Sequence, residues 1–191
     1  MVNSIMKKLK SMCILLPLLI APCAGAQELA LSTNMIDYLN FGTINLGASF
    51  GFARHWSMNA GVKYNPFSFN LPWNGERVQN RQQSLALGTR YWPWHIFSGW
   101  WMEGRVQYQE YNVGGIVSQE TTEGDRFGGG LAGGYTYMLN PHLNIDFGAG
   151  IWAGYDKYTK YECPVCGVVV DEGRRVFLLP SELIVSLSYV F

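Results

Sequence analysis

From Ala30 to Phe191 the dominant signal is alternation of apolar and polar side chains, and that period builds strands, not helices. The final run shows it best: Leu183, Val185, Leu187, Tyr189 and Phe191 share one face, against Glu182, Ser186 and Ser188, with Ile184 and Val190 as exceptions. Before it, Leu143, Ile145, Phe147, Ala149, Ile151, Ala153 and Tyr155 oppose Asn144, Asp146, Gly148, Gly150, Trp152, Gly154 and Asp156. Six weaker segments precede these, at about 29–38, 43–52, 57–67, 84–91, 100–111 and 126–138. The reading is all-β, with eight antiparallel strands of about ten residues, the length a tilted membrane strand needs.

The connections alternate as well. Short ones fall at Arg54-His55, at 93–99 and at Asn140-Pro141-His142; longer polar ones fall at 39–42, 70–83, 112–125 and 157–175. Short turns at one end and long loops at the other are the arrangement of an up-and-down outer-membrane barrel, with both chain ends on the periplasmic side. Beyond the leader no apolar run reaches the roughly 20 residues of a membrane helix. A chain that crosses lipid without helices must close into a barrel, because every backbone group there needs an internal partner.

Composition decides which face points outward. Only 15% of residues are charged and another 15% are aromatic, against about 25% charged in soluble domains. A soluble lipocalin-like barrel would turn its apolar face inward and its polar face to water. Here the polar face is mostly Gly, Ser, Asn and Gln, and aromatics gather near strand ends, as in the girdles of membrane barrels. The expectation is apolar residues outward and a polar lumen. Lysine plus arginine equal aspartate plus glutamate at 14 each, so no nucleic-acid partner is expected.

Residues 1–26 read as a signal peptide: Lys7, Lys8 and Lys10, an apolar run from Met12 to Ile20, and an Ala24-Gly25-Ala26 cleavage site. The mature barrel domain is then 27–191, in the cell outer membrane. Its inward face carries Lys63, Arg90 and Arg105 against Glu103, Asp146, Asp156 and Glu182. Eight strands leave a lumen just wide enough for side chains, and buried charges must be paired. This set therefore reads as a plug, with Arg105 expected against Glu103 or Asp146; a solute pathway is the alternative.

Cys163 and Cys166, in the last long loop, are the only cysteines after the leader. A disulfide, favoured by an oxidising route, competes with a weak metal site completed by Glu162, Asp171 or Glu172 and with a redox pair. No cofactor is expected. His55, His95 and His142 all fall in the short turns. A lipid-modifying enzyme with its base at the external rim is therefore disfavoured, and no catalytic residue is assigned. The external loops, including Leu71-Pro72-Trp73-Asn74-Gly75, remain as a binding surface.

Several pieces in order carry a resemblance: Ser32-Thr33-Asn34, Asn45-Leu46-Gly47, Trp56-Ser57-Met58, the stretch 61–66, Arg90-Tyr91-Trp92, Tyr111-Asn112-Val113-Gly114, and Tyr155-Asp156-Lys157-Tyr158 followed by Cys163-Pro164-Val165-Cys166-Gly167. The chain resembles small Bacteroidota outer-membrane barrels classed as a domain of unknown function. That resemblance implies the same location and gives no activity. Genes of such proteins often lie near fimbrial assembly genes, which implies a possible surface or fimbrial protein partner. The terminal Phe191 is similar to the signal read by the barrel-insertion machinery. The function expected is a non-enzymatic barrel, acting as a structural element or surface docking platform in outer-membrane lipid. A small-solute channel or a lipid-modifying enzyme stands as the alternative.

Overall fold

The computed structural model describes residues 29–70, 77–115, 120–163 and 167–191; the signal peptide lies outside them. The described chain is almost entirely strand: β1 (Leu29–Asn34), β2 (Ile44–Ala53), β3 (Trp56–Asn65), β4 (Ser68–Asn70), β5 (Arg77–Tyr91), β6 (Gly99–Gly114), β7 (Thr121–Asn140), β8 (Leu143–Tyr161) and β9 (Val169–Val190), with one helix, α1 (Met35–Leu39). Every strand pairs antiparallel with its neighbours, and β1 pairs with both β2 and β9. β3 pairs with β5, with β4 as a short spur on β5. The sheet is thus a closed eight-stranded barrel.

Register fixes its shape. Directly paired residues lead from Leu31 through Ala48, Ala60, Leu87, Val106, Gly129 and Ala153 to Leu178. The β9 partner of Leu31, however, is Tyr189. Allowing for the one-residue bulge beside Pro180, the stagger is about ten residues, which for eight strands requires a tilt of about 40°. Pro180 has no N–H to give the ladder, and a bulge is where a strand tolerates that.

Two expectations change. β1 stops at Asn34 instead of running to residue 38. The Asn34 side chain caps α1 by accepting from Ile36 N, an N-cap that competes with continued strand. In the stretches read as long polar loops at 70–83, 112–125 and 157–175, the described residues are mostly strand. Alternating polar residues can keep a ladder in water, and here β6–β9 run well past the shorter β1–β3.

The faces are arranged as expected. Leu46, Phe50, Met58, Leu87, Val106, Leu131, Ile151 and Leu183 point outward and are exposed, while Asn45, Ser57, Glu103, Thr136, Asn144, Asp146 and Ser188 are buried inside. Ile184 and Val190 point inward with the polar set. They belong to an apolar cluster with Ala30, Trp92, Phe97, Trp101 and Ala132 that fills the short-turn end of the lumen.

Candidate functional site

The lumen holds three layers of polar chemistry. In the lowest, β5–β6 register sets Arg90 directly opposite Glu103. Arg90 donates to Glu103 Oε2 through Nε at 3.0 Å and Nη2 at 2.8 Å, and its Nη1 lies 4.0 Å from Asp146 Oδ2. Asn59 Nδ2 also donates to Glu103, at 3.3 Å. Thr136 and Ser188 donate to the Asp146 carboxylate. The Arg90 guanidinium lies over the Trp101 ring, 3.9 Å from its centroid, where a delocalised cation is attracted by the π face. Below it Trp92 and Trp101, each 1% exposed, close the lumen. Trp92 Nε1 donates to Ser57 Oγ at 3.0 Å, and Asn144 Nδ2 donates to the Phe97 carbonyl at 2.9 Å. Arg90, not Arg105, thus pairs with Glu103 and Asp146. Residues two apart on one strand are about 7 Å apart, whereas direct cross-strand partners have Cβ atoms about 5 Å apart.

In the middle layer α1 brings in Asp37, which pairs with Lys63 at 2.8 Å. A polar cavity of about 110 Å³ adjoins this pair, lined by Asn45, Ser84, Arg105 and Ser186 among others; a space of that size holds several waters. Arg105 is itself engaged. Asp37 is not legible in the sequence as the partner of Lys63, because residues 35–38 read as the end of a strand.

The upper layer centres on Asp156, whose side chain is fully buried. Arg175 donates to its Oδ2 through Nε at 2.8 Å, Arg126 Nε lies 3.4 Å from the same oxygen, and the Tyr111 hydroxyl donates to Oδ1 at 2.8 Å. The Arg126 guanidinium stacks 3.8 Å from the Tyr111 centroid. Burial, and then the bond to Asp156, raises the Tyr111 phenol above its ordinary pKa, so it stays a neutral donor through ordinary pH. Arg126 and Arg175 were missed as lumen residues because both fell at the edge of a presumed loop. Continuing the odd–even alternation of β7 outward finds Arg126; on β9 the bulge beside Pro180 reverses the parity, so the same count turns Arg175 outward and only the bulged register returns it to the lumen.

Glu182 pairs through its backbone with Gly150; its side chain lies outside the described residues. Cys163 is disulfide-bonded, and Cys166 and 71–75 lie outside the described residues. The three histidines sit at the short-turn end. His55 Nδ1 donates to the Trp92 carbonyl and His142 Nδ1 to the Val190 carbonyl, each at 2.9 Å. These are braces for turns. Among the described residues no three His, Cys, Asp or Glu side chains are grouped to hold a metal ion. Chemically, the lumen is a stack of closed ion pairs around a small wet space.

No curated protein and no solved structure matches the chain. A family model does, over residues 12–191, and the chain therefore belongs to the family described as "Protein of unknown function (DUF3575)".

Proposed function

We propose that the protein is a non-enzymatic outer-membrane β-barrel, a structural element or surface docking platform whose lumen is plugged by paired charges. The observation that carries this reading is the outward belt. On β8 it is apolar from Leu143 to Tyr155, which spans about 30 Å at a tilt of about 40°. A row of directly paired, outward residues then ends it abruptly: Glu110, Asp125, Lys157 and Arg174. Below that row stand Tyr108, Phe127, Tyr155 and Val176. Trp56, Tyr91, Trp100, Tyr135 and Tyr189 stand at the other margin. A belt of that height between aromatic margins fits the hydrocarbon of a bilayer.

The docking part of the reading is supported by β6–β9, which carry the wall past the belt. At its tip Val168, Val169 and Val170 are exposed, and loops on a rigid scaffold commonly carry binding. The family resemblance points to a surface or fimbrial partner. The mature chain is expected to need detergent or lipid to fold, and then to migrate differently in gels before and after boiling. A monomeric, folded protein in plain buffer would overturn the membrane reading. Capture of the same surface protein from native outer membranes, lost on replacing the valines with serine, is expected for the platform.

A small-solute channel is the second reading, favoured by the 110 Å³ cavity. Stable single-channel steps from the unaltered protein in planar bilayers would select it over the plug.

A further inference from the structure

β1 leaves the wall early. It ends at Asn34, opposite Ser186, while β2 reaches Ile44 and the outward apolar residues of β9 continue to Leu178 and Val176. In the gap stands α1. Two asparagine side chains finish the ladders where the strands part. On the β9 flank, Asn34 Nδ2 donates to the Leu183 carbonyl and Val185 N donates to Asn34 Oδ1, both at 3.1 Å. On the β2 flank, Asn34 N donates to Asn45 Oδ1 at 2.6 Å and Asn45 Nδ2 donates to the Asn34 carbonyl at 2.8 Å.

The helix in this gap is held by polar contacts and not by packing, among them the 2.7 Å hydrogen bond between the Tyr38 hydroxyl and Thr33 Oγ1. It has five residues, none of them buried, and a helix that short has little stability of its own. Its outer side is apolar, with Met35, Tyr38 and Leu39 exposed at 51%, 45% and 85%. On its inner side Asp37 meets Lys63, and the lumen cavity lies directly behind, lined there by Ser32, Asn34, Asp37, Asn45 and Ser186.

The geometry points to α1 as the movable side wall of a lateral port, through which the head group of an anionic, single-chain amphiphile enters the lumen while its tail stays in the bilayer. The incoming head takes the place of Asp37 against Lys63, so the ion pair that holds the wall shut also marks the charge of the ligand. A carboxylate head suits a cavity of about 110 Å³. This inference rests on the membrane reading above.

The test places a thiol in the cavity, Ser186→Cys, in the full mature barrel reconstituted in liposomes. Its modification is followed with a membrane-partitioning maleimide and with a charged, impermeant one. Asp37→Asn is expected to raise the rate with the first reagent at least tenfold and with the second not at all. The exchanged pair Asp37→Lys with Lys63→Asp is expected to restore the slow rate. Laurate is expected to protect the thiol when Lys63 is present and to lose protection at least tenfold in Lys63→Gln; acetate and dodecanol, head and tail alone, do not protect. An unchanged rate in Asp37→Asn, equal acceleration by the charged reagent, or laurate protection that survives Lys63→Gln overturns the port. A chain that never inserts into liposomes overturns the membrane reading and the port together; an inserted barrel with unchanged rates overturns the port alone.

Discussion

Glu103 and Arg90 meet in a lumen that excludes most water, and such a pair is worth less than its rupture costs. Arg90→Met leaves the Glu103 carboxylate with Asn59 as its remaining donor and is expected to destabilise the barrel by about 3 kcal/mol. Adding Glu103→Leu is expected to recover most of that loss, because the stranded charge goes too. Urea unfolding in detergent, followed by tryptophan fluorescence, measures both; equal losses in the single and double variants would contradict the pairing. A second residue-scale prediction concerns space. A Cβ on Gly134 would lie 2.5 Å from Trp101 Cζ2, whereas on Gly129 its nearest neighbour is 3.7 Å away. Gly134→Ala is expected to cost about 2 kcal/mol by overpacking, and Gly129→Ala to be neutral or slightly stabilising, in the same unfolding measurement. At this scale the sequence shows which side chains share the inward face and not which of them touch. Parity along a strand is local, whereas the Arg90–Glu103 contact depends on how β5 slides against β6.

For elements, the legible part was the alternation, and the errors have two physical sources. Residues 35–38 read as the end of the first strand although Met35-Ile36-Asp37-Tyr38 does not alternate; the Asn34 cap and the positive φ at Phe41 and Gly42 turn the chain into a helix and back. The stretches at 112–125 and 157–175 look like loops by polarity alone, because beyond the belt both faces of a strand are solvated and the apolar marker disappears. Their order depends on Asp156, which ties β8 to Arg126 of β7 and Arg175 of β9. Asp156→Asn is expected to loosen this upper wall by about 2 kcal/mol, seen as roughly 30-fold faster amide exchange in 157–175, with the belt strands unchanged. Uniform acceleration throughout the barrel would show instead that the cluster supports the whole fold.

Across the whole molecule, eight strands and a stagger of about ten leave a lumen that side chains can fill, and the stopper is Trp92, Trp101 and Phe97. The unaltered barrel is expected to show no single-channel steps, and the double variant Trp92→Ala with Trp101→Ala to show small ones in planar bilayers. Silence in both would move the seal to the ion-pair layers above. Fold class, facing and closure were readable because a period of two, few charges, aromatic margins and the absence of apolar helical runs all agree; the register of the seam was not, since the pairing between β1 and β9 joins segments from opposite ends of the sequence. That pairing is short. β9 runs beside β8 from Val169 to Tyr189 but beside β1 only from Ser186 to Val190, and the start of β1 meets the end of β9 at one rim, where Phe191 N donates to the Leu29 carbonyl. Tension between Leu29 and Phe191 therefore unzips this seam one rung at a time, and hoop tension in the wall meets the same short ladder before any longer one. The ring is weakest at this single seam, so pulling its two flanks apart is expected to part β1 from β9 while the β8–β9 ladder holds.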